Sequence, residues 1–316
     1  MGGADLCLAH GFETYRPANK RTRHAARTLE SGAMSSTFRY VVADVFTDTP
    51  LQGNQLAVFT DARDIPEELL QPLAKEMAFS ETVFVYPTDA EAHVRIRIFT
   101  PASEIPFAGH PTLGTAFVLA QPMQLDVIAI ETGSGVVPVW LEREGPKILF
   151  GRMHQPIPAV EPFEEGPLLA AFGVERSELP VELYDNGMRF VYVALGSEDA
   201  VAALDPDQRT LGQALGIAGV SCFAGGGDGW KVRMFAPGAG VPEDPATGSA
   251  AGPLAVHLAR HGRIGWGDEI RISQGAEIGR PSTLYARVDG SAEAIERVEV
   301  GGSAVVVARG EFRLER

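Results

Sequence analysis

The sequence predicts an α/β (α+β) fold made of two pseudo-symmetric halves, and two observations lead there. Strand-like segments of period two are interspersed along the chain with helical segments of period 3.6. The order of these segments then repeats. "RIRIF" runs into "TPASEIPFAGHPTLGTAFVLA" in the first half, and "KVRMF" runs into "APGAGVPEDPATGSAAGPLAVHLA" in the second. Phe99, Pro101 and Pro106 align with Phe235, Pro237 and Pro242 at one constant offset, and small inserted residues restore the match between Gly109 and Gly248. An internal duplication explains this, with the halves joined near residues 145–160 around the Pro-rich "HQPIPAVEPFEEGP".

Each element has a local reason. "FRYVVADVF" is β-branched and aromatic, "TDTPLQGN" supplies turn residues and "QLAVFT" returns as a second strand, so the three read as a strand pair. "DARDIPEELLQPLAKEMAF" reads as an amphipathic helix, with Asp64 as N-cap, Pro66 near its start and Leu69, Leu73 and Met77 on one face. "ETVFVYP" and "AHVRIRIFT" alternate as half-buried strands. In the second half "RFVYVAL" is a strand, "DPDQRTLGQALG" a helix, and "GVSCFAGG" and "GWKVRMFAP" are strands. The glycines of "GGGDGW" precede a strand and not a helix, which favours a hairpin turn at Asp228-Gly229 over a phosphate loop. The closing "GSAVVVARGEFRL", about 303–314, is a strand expected to return to the first half.

Residues 1–35 carry a basic patch and no sustained periodicity, so they are expected to be a disordered extension or an over-long gene model, with Met34 as an alternative start. The expected units are then 36–150 and 151–316. With 316 residues, 45% of them hydrophobic, the chain can bury a large core. A net charge of -14 argues against nucleic acid or an anionic membrane as partner, and points to a small molecule. Cys7 and Cys222 are too few for a disulfide framework or a cysteine-built metal site, which suits a reducing cytoplasm. No stretch is long and apolar enough to span a membrane as a helix.

The chemistry is expected at the two helix starts. The first N–H groups of a helix lack internal partners and carry partial positive charge, so they accept a carboxylate. Gly109, Gly248 and Ser249 are small enough to let a ligand reach that backbone. His110 at one mouth and Asp244 with Ser249 at the other add polar side chains. Glu81, in "FSETVFV", sits among apolar neighbours that would raise its pKa, as a general acid and base needs. A binding protein that kept the fold without catalysis is the alternative, and a Glu81 on the outer surface would favour it. His257 and His261 are spaced i, i+4, but without the Glu of a zinc-protease motif they read as residues of a helix C-terminus, and no metal site is expected. Cys222 reads as a buried, inert thiol.

At these residues the sequence resembles the PhzF-like family of phenazine biosynthesis, from about Phe38 to the C-terminus. The motifs that carry the resemblance are "DVFTDTPLQGNQLAVF", "FSETVFV", "FTPASEIPFAGHPTLGTA" and "EDPATGSAAGPLA". It implies a diaminopimelate-epimerase-like fold, each half a β-barrel-like sheet wrapped around a central helix, with the active site between halves and a homodimeric assembly. It also implies isomerisation of trans-2,3-dihydro-3-hydroxyanthranilate without metal or organic cofactor, the proton moving from C3 to C1. Glu81 falls on the family's acid/base, while His110, Asp244 and Ser249 fall on substrate contacts, with the backbone of Gly109 and Gly248 nearby. The family often has Gly-Asn-Pro where this chain has Gly53-Asn54-Gln55, a change in turn stiffness that removes no side chain from this chemistry. Another amino-acid-like metabolite is the alternative substrate. A two-cysteine racemase mechanism is excluded, since neither helix mouth holds a cysteine.

Overall fold

The computed structural model describes residues 35–227 and 229–315. The first run of elements is β1 (Ser35–Val45), β2 (Asn54–Phe59), α1 (Glu67–Met77), β3 (Glu81–Tyr86), β4 (Val94–Phe99), β5 (Glu104–Ile105), α2 (Gly109–Met123), β6 (Val127–Thr132), β7 (Gly135–Glu144) and β8 (Lys147–Gln155). The second is β9 (Ala159–Pro162), α3 (Glu165–Phe172), β10 (Glu182–Asp185), β11 (Arg189–Ala194), α4 (Glu198–Ala202), α5 (Gln208–Leu215), β12 (Gly219–Gly226), β13 (Gly229–Ala236), β14 (Val241–Asp244), α6 (Gly248–Arg260), β15 (Glu269–Gln274), β16 (Ser282–Gly290), β17 (Ile295–Gly302) and β18 (Ala304–Glu315).

The repeat in sequence is a repeat in topology. β1–β2 pair antiparallel, β2–β3 parallel, β3–β4 antiparallel, β4–β6 parallel, and β6–β7–β8 antiparallel. β10–β11, β11–β12, β12–β13, β13–β15 and β15–β16–β17 follow the same series of directions. Each parallel pair is bridged by helix, as a parallel connection requires. β18 pairs antiparallel with β1, so the last strand does join the first half, and β8 pairs with β17 to make one continuous sheet. The expected division at residue 150 cuts through β8; the topological series turns over between Gln155 and Ala159. Ser35 is already in β1, and the rest of the expected extension lies outside the described residues, as do Cys7 and Asp228.

α2 is buried from Gly109 through Val118, and α6 from Gly248 through Ala259. A helix apolar or small on every side cannot face water, and each becomes the axis of its half. Strands β1, β2, β3, β6, β7, β8 and β18 all pack on α2, while β11, β16 and β17 pack on α6. One cluster spans both axes through Leu113, Phe117, Leu254 and Leu258. Smaller clusters lie beneath α1 and beneath α3 and α5. The α1 reading needs correction. Its N-cap is Pro66, which has no capping side chain, because the chain from Arg63 to Ile65 turns instead of coiling; Asp64 therefore lies outside the helix. Leu70, Leu73 and Ala74 form its buried stripe, with Leu69 and Met77 at its margins. Asp207 does cap α5, accepting from the Thr210 N–H at 2.7 Å.

Candidate active site

α2 and α6 begin against each other. A methyl built on Gly109 would lie 2.6 Å from the Gly248 carbonyl carbon and from the Ser249 nitrogen, so only glycine lets the two N-termini meet. Gly248 is held as tightly, since a methyl there would lie 2.8 Å from the Phe46 ring. Beside this junction lies a narrow cleft of about 40 Å³. Ser80, Glu81 and His110 line it from the first half, and Met188, Phe190 and Met234 supply an apolar wall from the second. Gly109, Asp244, Gly248 and Ser249 line it as well, so all six predicted site residues meet in one place.

Glu81 opens β3, whose parallel pairing with β2 sets it beside Leu56. Its side chain is 14% exposed, and its Oε2 is buried with no hydrogen-bond partner. Burial raises its pKa well above the usual carboxylate value, and the negative charge of Asp244 adds to the rise. His110 is 2% exposed. Its Nδ1 lies 3.5 Å from Glu81 Oε2, and its Nε2 is buried without a partner. Burial lowers its pKa to about 3, against a hydrogen bond to the Gln55 backbone that favours the protonated ring, so the imidazole is neutral at physiological pH.

Asp244, at the end of β14, accepts from Thr247 Oγ1 at 2.6 Å, Ser80 Oγ at 2.7 Å and Asn54 Nδ2 at 2.8 Å. Burial raises its pKa to about 6, and these three donors hold it below what burial alone would give. Gln274 completes the support, donating to the Asp244 carbonyl at 2.8 Å and to Thr247 Oγ1 at 3.0 Å. Asn54, Ser80, Thr247 and Gln274 were not among the predicted site residues. Ser80 and Thr247 lie beside them in "FSE" and "DPATGS", and Asn54 sits in the motif "DVFTDTPLQGNQLAVF"; Gln274 comes from β15 and carries no signal.

The Ser249 mouth is fixed by a proline. Pro253 has no N–H to give the Ser249 carbonyl four residues back, and Asn186 Nδ2 takes that place at 2.9 Å. Gln155 Nε2 holds the neighbouring Gly248 carbonyl at 2.8 Å.

Away from the cleft, His257 lies in the last turn of α6, as its spacing with His261 suggested. It is fully buried among Tyr184, Tyr192 and Phe223 because α6 is the axis of its half. With His261 and Glu182 it forms a group whose donor atoms lie within 4.8 Å of one another, a spacing compatible with a metal ion. Hydrogen bonds already join the group: His261 Nε2 lies 2.9 Å from Glu182 Oε2, and Tyr184 donates to the same oxygen at 2.8 Å. A histidine ligand normally has a partner on its other nitrogen, whereas His257 Nε2 is buried with none. Cys222 is buried and free, and burial raises its thiol pKa. The "GGGDGW" glycines join β12 to β13 as a hairpin with Gly226 opposite Gly229.

The sequence model of a family described as phenazine biosynthesis-like protein matches residues 43–310. The chain is 50% identical over 277 residues to a protein of Pseudomonas aeruginosa named trans-2,3-dihydro-3-hydroxyanthranilate isomerase, covering 87% of this chain and 99% of that one. A crystal structure of a phenazine biosynthesis protein, PhzF family, from Bacillus anthracis superposes with a TM-score of 0.77 at 27% identity, covering 88% of this chain and 99% of that one. A hydroxyproline epimerase from Agrobacterium vitis shares the fold at a TM-score of 0.61 and 12% identity, over 88% of this chain and 92% of that one.

Proposed function

The chain belongs to the phenazine biosynthesis-like protein family, and from that premise we propose that it isomerises trans-2,3-dihydro-3-hydroxyanthranilate by a proton shift, with Glu81 as the acid and base. It is a PhzF-type isomerase. The observation that carries the reading is the Glu81 carboxyl, buried at the cleft with an unpartnered oxygen and surrounded by the two helix mouths.

In its ionised form Glu81 takes the proton from C3 of the ring. The electron pair of the broken C–H bond delocalises through the ring double bonds towards the carboxylate-bearing C1. Glu81 then returns the proton to C1, forming the new C–H bond on the same face. One carboxyl serves both steps because the ring stays beneath it, which is positional catalysis. The substrate carboxylate gains charge during the shift, and the α2 and α6 N-termini with Ser249 supply the dipoles that meet it. His110 and Asp244 hold the ring's polar substituents. No step uses a metal or organic cofactor. The family resemblance supports a homodimer. Among the described residues no helix is long and apolar enough to cross a membrane; few cysteines and an acidic composition support a cytoplasmic setting.

Proton NMR of the purified protein with this substrate in D₂O, run beside Glu81→Gln, tests the reading. Conversion by the wild type alone, with the label pattern at C1 reporting the shift, supports it; a folded wild type that leaves the substrate unchanged removes it.

A further inference from the structure

The turn between β1 and β2 leads into Asn54, and little within the turn itself holds it in place. Leu51 lies in the left-handed region at φ 68° although it is not glycine, and its side chain is 72% exposed, so no apolar burial offsets that backbone cost. The anchors are polar. Asp44, which is buried, accepts from the Leu51 N–H at 2.7 Å and from Arg280 Nη2 at 2.6 Å. The same guanidinium donates to the Gln52 carbonyl at 2.8 Å and to the Gly53 carbonyl at 2.9 Å, and the Gly53 N–H donates to the Pro281 carbonyl at 3.1 Å. Asn54 follows at once. Its buried amide crosses from the first half to the second, donating to Asp244 Oδ1 at 2.8 Å and to the Ala246 carbonyl at 2.9 Å. The backbone of Arg280 is tied to the Asp244 side. Its N–H donates to the Gly275 carbonyl at 2.9 Å, and a methyl built on Gly275, at φ 80°, would lie 2.5 Å from the Pro245 carbonyl oxygen. Gln274, one residue earlier, holds the Asp244 carbonyl. The segment 274–281 therefore grips both ends of the bond between Asn54 and Asp244.

We propose that Arg280 is a positioning residue for the reaction: its guanidinium fixes the Gln52-Gly53 turn against the second half, so that the Asn54 amide meets the Asp244 carboxylate and holds it in place. A planar fork suits this task because it meets three oxygens at once, one of a carboxylate and two of carbonyls. A lysine ammonium, a point charge on a flexible stem, balances Asp44 without holding both carbonyls. Asp44 is the charge partner, and the two carbonyls are the part of the contact that acts on Asn54. The bearing on turnover rests on the proposed function, in which Asp244 meets the substrate; the link from Arg280 to the Asn54 amide does not.

Hydrogen exchange of the Asn54 side-chain amide, read by ¹H–¹⁵N NMR and assigned by its loss in Asn54→Ala, tests the link without any substrate. Exchange should quicken about tenfold or more in Arg280→Lys, since an amide whose support is loosened opens more often; an unchanged rate overturns the link. A double-mutant cycle in kcat/KM then separates positioning from general support of the fold. Asn54→Ala and Arg280→Lys should each lower kcat/KM about 10- to 100-fold, and Arg280→Lys should cost almost nothing further in the Asn54→Ala background. Additive losses, or a loss in Arg280→Lys that follows only its unfolding in urea, overturn the positioning role. If Arg280→Lys does not fold, Asp44→Asn combined with Arg280→Met takes its place, because it removes both charges of the pair and still releases the two carbonyls. A folded wild type that leaves trans-2,3-dihydro-3-hydroxyanthranilate unchanged counts against the proposed function, and the exchange rate alone then decides the link.

Discussion

Gly109 and Gly248 meet backbone to backbone, each the first residue of the buried helix at the axis of its half. Two positive helix ends brought this close repel unless something negative lies beside them, so the junction is poised for an anion. Gly109→Ala puts a methyl 2.6 Å from the Gly248 carbonyl carbon, and backbone on both sides cannot move away as a side-chain tip could. We expect a loss of about 1–3 kcal/mol in chemical denaturation, with turnover falling more than the stability change explains. Retention of wild-type activity and stability would show that the helices can part without harm.

Glu81 should cost the protein stability in return for its chemistry. Its folded pKa is raised well above the ordinary glutamate value, so folding favours the protonated form. Stability from that preference is present below about pH 4.5 and declines as pH rises towards the raised folded value. Glu81→Gln removes the charge that must be buried, so it should melt above the wild type at pH 8, with the difference shrinking towards pH 4. Thermal melts at both pH values check this; an unchanged gap across the range removes the buried-charge account. The same raised pKa predicts that kcat/KM climbs with pH until Glu81 is ionised.

The duplication and the helix mouths were legible because both rest on local sequence: a strand, a proline-rich turn and a glycine start, written twice. Glu81, His110, Asp244 and Ser249 come from separate segments, yet each lies beside a strand end or helix start that the pattern marks. The supports were harder to see. Gln274 reaches Asp244 from β15, and Asn186 reaches Ser249 from the turn between β10 and β11, contacts that only the closed fold creates. His257 does lie in the last turn of α6, as its spacing suggested, but its burial was not legible, because that the helix is an axis is a property of the whole sheet. Asp64 failed as a cap for the opposite reason, since local turn geometry ended the loop two residues later.

Glu182 links the far end of α6 to β10. The hydrogen bond from His257 is the main cause of its low pKa, about 2, against burial that opposes it, with His261 and Tyr184 helping. A folded pKa below the ordinary glutamate value means stability that is present above about pH 4.5 and lost as pH falls towards 2. His110 adds to the same acid sensitivity, because its folded pKa of about 3 lies below 6.5 and unfolding lets it take a proton. Glu182→Gln should lose roughly 1–3 kcal/mol at pH 7 and show a shallower fall between pH 4.5 and 2. Urea unfolding at a series of pH values measures both, and parallel curves for the two proteins would contradict the assignment.

Asn186 gives the sharpest separation between support and chemistry, because it touches no predicted catalytic side chain and acts on a carbonyl that Pro253 leaves open. Asn186→Ala strands the buried Ser249 carbonyl without a donor, which costs about 1–3 kcal/mol. Asn186→Asp should be worse, since it aims an acceptor, charged at neutral pH, at that oxygen inside the protein. Both changes loosen the first turn of α6, so KM should rise through a displaced Ser249 and Gly248 while the pH at which Glu81 ionises stays where it was. A pH–rate profile measured on Asn186→Ala distinguishes the cases. If the acid limb of that profile moves with the mutation, the helix mouth and the base are coupled through the network at Asp244, and the separation argued here fails.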